Sequence, residues 1–452
     1  MRQPKVFPKP IDTARPVRRP AVSVVAVGAL GLLVTVAACG NGHGSSPTTS
    51  AAASGTVAPS SASPSGSSPG ATSPSPSRTT TSAAPAPTSA KASTTPPASA
   101  SAASCVNRTV SAMSTSQRVG QLFMTAVTST GMTSAEAAAI TGGKAGAVIL
   151  MGHTSGGTPV VKPVAARAQS LAPTVPGATV RMLVATDQEG GQVQVLKGAG
   201  FSTMPSAVTQ GQWSTSRLRS SATTWGRQLA AAGVNMNLAP VADTVPSSLV
   251  SVNAPIGQLD REYGNDPTTV ASHATAFLTG MRQAGVIPTA KHFPGLGRVT
   301  GNTDLTADVV DSTTTRDDPY LQPFRSAVQA GVPFVMVSSA TYSRIDADHQ
   351  AAFSSTVMRG LLRDSLGFKG AIISDDLGNA VAVADRTPAQ RALDFLSAGG
   401  TMVLTVKPSD IVPMTSAVIS RMAADATLRA AVDDGVRRVL TAKHTAGLLT
   451  CG

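Results

Sequence analysis

Residues 287–295 read IPTAKHFPG, in which the strand-like run Ile287–His292 ends in charged residues and passes directly into turn-forming ones. Seven other runs along the chain are strand-like in the same way. They are Leu122–Val127, Ala145–Met151, Met182–Asp187, Asn235–Pro240, Phe334–Ser339, Ala371–Asp375 and Met402–Val406. Short apolar runs separated by longer stretches are typical of buried strands in a parallel sheet.

Ala-rich amphipathic stretches lie between these runs and predict helices, most clearly at Ser214–Ala232, Thr268–Ala284, Ser355–Leu366 and Pro388–Ser397. Parallel strands need long crossover connections, which are usually helical. Eight strand–helix units over about 350 residues favour a closed (β/α)8 TIM-type barrel over an open sheet. In such a barrel the functional side chains lie where the strands end, which is where the polar residues fall in this sequence.

The first 39 residues have the features of an export signal. A basic stretch ends at Arg19, an apolar run from Ala21 to Ala38 follows, and Cys39 comes next. This order is typical of a secretory signal, and small residues before a cysteine resemble the bacterial lipobox, in which the cysteine is lipidated. The alternative is an uncleaved anchor, because the run is about long enough to cross a bilayer. We expect an exported protein that is lipid-anchored through Cys39 to the outer face of the bacterial cell membrane.

Residues 40–104 are almost entirely Ser, Thr, Ala, Pro and Gly, which predicts a flexible tether, with the folded domain at 105–452. The chain of 452 residues has a net charge of +12, and seven of these charges fall before Cys105. No basic run with interleaved aromatic residues occurs in the rest. Nucleic-acid binding is therefore disfavoured.

Cys105 and Cys451 lie at the two ends of the predicted domain. In an oxidising compartment they are expected to form a disulfide that joins the domain's termini. A metal site built on two cysteines has no supporting histidine cluster. No Gly-rich phosphate loop and no metal-ligand spacing of histidines is evident, so the sequence predicts no cofactor and no metal.

Five polar strings in register resemble bacterial glycoside hydrolase family 3, and in particular its single-domain β-N-acetylhexosaminidases. The strings are 187–191 (DQEGG), 237–243 (NLAPVAD), 261–267 (REYGNDP), 291–297 (KHFPGLG) and 374–377 (SDDL). They span most of 105–452, and the family's barrel fold agrees with the independent strand count. The resemblance implies a carbohydrate substrate.

The resemblance assigns Asp375 as the catalytic nucleophile, a role that suits a carboxylate because it can bond to the anomeric carbon of a sugar. The alternative is a carboxylate that caps a helix or forms a salt bridge. Asp376 is expected to accept supporting hydrogen bonds. Glu189, beside glycines at a turn, is predicted to shape the loop.

Four other residues match family positions that hold sugar hydroxyls: Asp187, Arg261, Lys291 and His292. Charged hydrogen bonds to hydroxyls orient a sugar for reaction. For Lys291 and Arg261 the alternative is an ion pair with Asp187 or Asp243 that only closes the mouth of the barrel.

The sequence departs from the family in the loop after 291–295. There the single-domain members carry an Asp-Ser-His string whose histidine is the acid/base, whereas this chain has Asn302-Thr303-Asp304. Asp304 itself is the first candidate acid/base, since a carboxylic acid with a raised pKa does this work in most retaining glycosidases. Asp308 is the second candidate, and the third possibility is that efficient protonation is lost.

Together these observations predict a retaining glycosidase that removes terminal β-linked N-acetylglucosamine from cell-wall-derived or chitin-type oligosaccharides. Two alternatives stay open. One is a phosphorylase, in which phosphate replaces water, although a carboxylate at the acid/base position would repel a phosphate dianion. The other is a glycan-binding lipoprotein on a degenerate barrel. The sequence leaves the oligomeric state undetermined.

Overall fold

The computed structural model describes residues 98–452, and for residues 98–100 only the backbone. Eight parallel strands close into a barrel in which each strand pairs with its neighbours in chain order and the last pairs with the first. They are β1 (Phe123–Thr128), β2 (Ala147–Met151), β3 (Leu183–Thr186), β4 (Met236–Asn237), β5 (Ile287–Phe293), β6 (Phe334–Val337), β7 (Ala371–Asp376) and β8 (Met402–Thr405). Each overlaps one of the eight predicted runs, so the (β/α)8 prediction is confirmed.

Helices surround the barrel. They are α1 (Ala98–Ala112), α2 (Thr115–Gly120), α3 (Ser134–Gly143), α4 (Gly157–Ser170), α5 (Ala207–Gln210), α6 (Thr215–Ala231), α7 (Pro267–Gln283), α8 (Gln322–Gln329), a π-helical segment (Thr356–Ser365), α9 (Pro388–Ala398), α10 (Ile411–Ala424) and α11 (Ala426–Thr445). All four predicted helices are present. Local sequence explains several starts: the Ser214 hydroxyl accepts a hydrogen bond from the Arg217 backbone N–H, and Asp266 caps α7 in the same way.

The barrel strands are buried because the helices cover them on the outside and side chains fill the inside. Every residue of β5 is buried, and Phe293 at its end packs edge-on against Phe324 of α8 with ring centroids 5.3 Å apart. Apolar packing on the outside and the inside of the barrel holds the strand ends in fixed positions. Polar side chains at those ends are therefore carried on a rigid support.

The two ends of the domain are joined beside α11. Cys105 of α1 forms a disulfide with Cys451, so the predicted pairing is confirmed. The last strand, Leu449–Cys451, pairs antiparallel with Ala178–Val180. Helix α1 begins at Ala98, within the segment predicted to be a tether. Val106 and Val110, further along the same helix, are buried.

A long loop, residues 294–318, follows β5 and carries Asp304. It is braced by a small sheet made of Val310–Asp311, Thr341–Tyr342 and Asp346–Gln350. The backbone amides of Val381 and Ala382 also donate hydrogen bonds to the carbonyls of Asp304 (3.2 Å) and Thr303 (3.1 Å). These bonds hold the Asp304 loop against the segment that follows β7.

Within residues 98–452, no helix combines the length and the apolarity needed to cross a bilayer. The predicted signal segment, including the apolar run at 21–38 and Cys39, lies outside the described residues.

Candidate active site

The predicted site residues converge on one end of the barrel. Asp187 follows β3, Lys291 and His292 belong to β5, and Asp375 lies at the end of β7. These are the carboxyl ends of parallel strands, which face the same mouth of the barrel. Arg261 reaches the same mouth from the loop before α7, as its contacts show.

One side of the mouth is an ion-pair cluster. The Lys291 ammonium lies 2.5 Å from an oxygen of Asp187 and 2.7 Å from an oxygen of Glu189. Arg261 donates two hydrogen bonds to the two oxygens of Glu189, both at 2.8 Å. A two-point contact of this kind fixes the plane of the guanidinium as well as its position.

The cluster keeps its groups ionised. Burial alone would raise the pKa of Glu189, but Arg261 and Lys291 outweigh it and lower this pKa to about 2. Burial would likewise lower the pKa of Lys291, and Asp187 and Glu189 instead raise it. The charges of Glu189 and Lys291 are therefore constant over the physiological pH range.

Glu189 is the partner that the sequence reasoning missed. The alternative considered for Lys291, an ion pair with Asp187, is present, whereas Arg261 pairs with Glu189 rather than with Asp187 or Asp243. The turn that follows Glu189 depends on glycine: Gly190 has φ of +116°, and a β-carbon there would lie 2.1 Å from the carbonyl oxygen of Pro205. The glycines are evident in the sequence, but the ion pairs of Glu189 with Arg261 and Lys291 are not.

His292 is oriented by Asp243. The imidazole Nδ1 lies 2.7 Å from a carboxylate oxygen of Asp243, and the backbone N–H groups of His292 and Leu296 donate to the same carboxylate at 3.1 and 2.8 Å. These contacts fix the orientation of the imidazole ring. Both side chains are buried. Asp243 thus positions the His292 ring at the mouth.

The other side of the mouth carries acids without cationic partners. Asp375 is half-buried and accepts a hydrogen bond from the backbone N–H of Asp376 at 2.9 Å. Within residues 98–452, no Lys, Arg or His forms an ion pair with Asp375. The helix-capping and salt-bridge alternatives for this residue therefore have no support in the geometry.

Asp376 has the supporting position that was expected of it. Its carboxylate accepts backbone hydrogen bonds from Gly378 (2.8 Å), Asn379 (2.9 Å) and Val406 (2.8 Å). Burial still raises the pKa of Asp376, in spite of these bonds. The side chain ties the end of β7 to the segment after β8 and so holds Asp375 in place.

Asp304 faces this acidic side. Residue Asp304 as a whole is exposed, yet the crowding of its carboxyl group by protein, followed by repulsion from Asp375 and Asp376, raises its pKa to about 6. The positive charges of His292 and Arg261 oppose this shift. Asp308, in contrast, is exposed, has φ of +54° and makes no hydrogen bond or ion pair to any described residue. The repulsion that Asp304 experiences from Asp375 therefore favours Asp304 over Asp308 as the candidate acid/base.

Comparisons with known proteins match this chain to one family. Residues 114–442 match the model of the glycosyl hydrolase family 3 N-terminal domain. A beta-hexosaminidase of Mycobacterium tuberculosis, LpqI, is 33% identical over 277 residues, which are 59% of this chain and 69% of that protein. A beta-hexosaminidase of Methylococcus capsulatus is 34% identical over 55% of this chain and 74% of its own length.

A solved structure extends the likeness to the fold. The crystal structure of a beta-N-acetylhexosaminidase from Beutenbergia cavernae is 47% identical to this chain, with a TM-score of 0.72. The match covers 74% of this chain and 99% of that one.

Proposed function

The chain belongs to glycosyl hydrolase family 3, and from this premise we propose that it is a retaining β-N-acetylhexosaminidase that releases terminal β-linked N-acetylglucosamine. The substrates proposed are cell-wall-derived or chitin-type oligosaccharides. The observation that carries the proposal is the pair of acids on one side of the mouth, Asp375 without a cation and Asp304 with a raised pKa. The names of the similar hexosaminidases support the choice of sugar.

The first step of the proposed reaction forms a bond between a carboxylate oxygen of Asp375 and C1 of the sugar. The bond between C1 and the leaving oxygen breaks, and that oxygen takes the proton of Asp304. With a pKa of about 6, Asp304 is half protonated at about pH 6 and roughly one-tenth protonated at pH 7, so the protonated form that a general acid requires is populated. Asp304 thus takes the place of the histidine expected of the family.

The second step reverses the roles. Asp304, now ionised, accepts a proton from water, and the water oxygen bonds to C1 while the bond to Asp375 breaks. The sugar leaves with the configuration at C1 retained. The same two side chains serve both steps.

Asp187, Arg261, Lys291 and His292 are proposed to hold the hydroxyls of the sugar. Their mutual ion pairs do not compete with this role. Each of the four groups has hydrogen-bonding capacity left, since Lys291 has three N–H donors and a guanidinium has five. A preorganised set of donors and acceptors costs little reorganisation when the sugar binds.

We further propose that the protein is exported and lipid-anchored at Cys39, with residues 40–104 as the connection to the enzymatic domain. Support comes from the sequence alone, namely the basic stretch, the apolar run and the cysteine that follows it. Mass spectrometry of the protein from bacterial membranes should find an acylated N-terminal Cys39, and Cys39→Ser should abolish this modification. Recovery of an unmodified, uncleaved N-terminus would reject the anchor.

The decisive experiment traps the intermediate. The full chain is assayed with 4-nitrophenyl N-acetyl-β-glucosaminide, with and without phosphate, and is then incubated with a fluorinated N-acetylglucosaminide and mapped by mass spectrometry. We expect release that is independent of phosphate and a sugar adduct on Asp375. An adduct on another side chain would overturn the mechanism, and a dependence on phosphate would identify a phosphorylase. Sugar binding by calorimetry without turnover would identify a glycan-binding protein.

A further inference from the structure

A second concave surface lies at the end of the barrel opposite to the acids. It is a cleft of about 1030 Å³ formed by the segments that lead into β5, β6 and β7 and by the C-terminal half of α11. Because these segments precede the strands, the cleft is on the amino-terminal face of the barrel. We call it the basic cleft. No part of the catalytic proposal uses it.

The rim of the basic cleft carries four cations: Arg282, Lys369, Arg437 and Arg438. Asp434 is the single acid among the residues of 98–452 that line it, and it pairs with Arg438 at 2.7 Å. The rim therefore has an excess of positive charge. Burial, and then the charge of Arg438, lower the pKa of the neighbouring Arg363 to about 10.

The cations are held in place but keep donors for a ligand. One N–H group of Arg282 donates to the carbonyl of Ala330 at 2.7 Å, and Nε of Arg437 donates to Asn107 of α1 at 3.3 Å. A guanidinium has five N–H donors, so most of them stay open. Arg437 and Lys369 are both exposed to solvent.

The floor of the basic cleft is apolar. Val286, Val332 and Phe368 are buried beneath it, and Val328 and Ala442 are half-buried at its sides. A site for a highly charged, fully hydrated polyanion does not need such a floor. Cations around an apolar depression instead match a ligand that has an anionic group at one end and hydrocarbon at the other.

We propose that the basic cleft binds an anionic phospholipid, with the phosphate between Lys369 and the three arginines and part of an acyl chain on the apolar floor. Guanidinium groups suit this ligand because they are weakly hydrated and bind phosphate oxygens in pairs. A membrane surface that carries such lipids also attracts basic side chains that lie near it. The amino-terminal face of the barrel then lies on the membrane, and the mouth with Asp375 faces away from it.

The test uses short-chain lipids, which bind as single molecules and so avoid any contribution from the apolar run at 21–38. The full chain is titrated by calorimetry with dihexanoyl phosphatidylglycerol, dihexanoyl phosphatidylcholine and glycerol phosphate, each below its micelle concentration where one exists. We expect binding of phosphatidylglycerol, and at least about tenfold weaker binding of the other two.

Variants connect the binding to the cleft. Lys369→Glu combined with Arg437→Glu should weaken phosphatidylglycerol binding by about tenfold or more. The matched control is Lys162→Glu combined with Arg227→Glu, which makes the same change of charge at exposed positions of α4 and α6 outside the cleft and should leave binding within about twofold. Val328→Ser, on the apolar side, should weaken lipid binding without changing the weak binding of glycerol phosphate. Hydrolysis of the chromogenic glucosaminide should be unchanged in all three variants, which reports that they are folded.

The remaining outcomes overturn the proposal. Equal affinity for phosphatidylglycerol and glycerol phosphate would mean a simple anion site in which the floor has no role. Equal affinity for phosphatidylglycerol and phosphatidylcholine would mean that the cations do not contribute to binding. A control pair that weakens binding as much as the cleft pair would show attraction by net charge alone, and no binding of any probe would leave the cleft without this ligand.

Discussion

The two sides of the barrel mouth hold the same kind of side chain in opposite electrostatic settings. On one side, Asp187 and Glu189 lie against Lys291 and Arg261, with N–O distances of 2.5 to 2.8 Å. On the other side, no cation pairs with Asp375 within the described part of the chain. We refer to them as the paired side and the acidic side.

The difference decides which carboxyl groups can move protons. On the paired side the cations lower the pKa of Glu189 to about 2, so it stays ionised and can only hold and orient. On the acidic side, crowding and the charge of Asp375 raise the pKa of Asp304 to about 6, so it can carry a proton near neutral pH. A glycosidase mechanism needs both kinds of carboxyl group, one that stays ionised and one that can carry a proton, and the two sides of the mouth provide them.

The largest effect is expected from Asp375→Asn on the acidic side. An amide cannot form the ester to C1, so kcat should fall by at least about 10⁴-fold for both chitobiose and 4-nitrophenyl substrates. Asp364→Asn, an exposed carboxylate of the π-helical segment, is the control and should leave kcat unchanged. If Asp375→Asn stayed within about tenfold of wild type, the acidic side would not contain the nucleophile.

A smaller and substrate-dependent loss is expected from Asp304→Asn. Turnover of chitobiose should fall by about 10²–10³-fold, because its leaving oxygen needs a proton, while a dinitrophenyl glucosaminide should lose less than about tenfold. In the wild type, Asp304 donates only when protonated, so kcat/KM for chitobiose should decline as the pH rises through about 6. This decline, the alkaline limb of the pH profile, should be absent in the variant. A variant that kept both the limb and its turnover of chitobiose would show that another group is the acid.

On the paired side, Glu189→Gln should act mainly on stability. It leaves the guanidinium of Arg261 without its carboxylate, and loss of one partner of a buried pair costs roughly 3–5 kcal/mol in the free energy of unfolding. Because the pKa of Glu189 is lowered from 4.5 to about 2 in the folded state, its contribution is full above pH 4.5 and is lost as the pH falls toward 2. The difference between wild type and variant in urea unfolding should therefore narrow over this window.

Asp385→Asn is the control for this measurement, because it removes an exposed carboxylate that pairs with Arg386 at 2.9 Å. An exposed pair contributes at most about 1 kcal/mol. Equal losses from the two variants, or a loss from Glu189→Gln that does not change with pH, would mean that the paired side is not held by the charge of Glu189.

The barrel could be predicted from the sequence, because each strand overlaps a short apolar run and helix-like stretches separate these runs. All eight runs became strands, and the run at 287–292 begins where β5 begins. The start of α1 at Ala98 was not foreseen, since a sequence of alanine and serine is equally consistent with a loop until Val106 and Val110 are known to be buried. Local pattern specifies strands well and helix extensions poorly.

The site could be predicted in its members but not in its partnerships. The polar strings put Asp187, Lys291 and Asp375 at the mouth, and the structure brings them there. The pairing of Arg261 with Glu189 joins positions 72 residues apart and depends on how the 256–265 loop returns to the mouth. The place of Asp304 depends on backbone bonds from Val381 and Ala382, which no side-chain motif encodes.

The smallest effect is expected from Asp308→Asn, which tests the difference between Asp304 and Asp308 within one loop. Asp308 lies four positions after Asp304, but it is exposed and makes no contact with the acidic side among the described residues. Asparagine tolerates its φ of +54° as well as aspartate does, so the backbone should not change. We expect kcat/KM for chitobiose to stay within about twofold of wild type, with the alkaline limb intact, as for surface substitutions in general. If Asp308→Asn lost the alkaline limb and Asp304→Asn retained it, Asp308 rather than Asp304 would be the acid/base. The loop would then lie differently over Asp375.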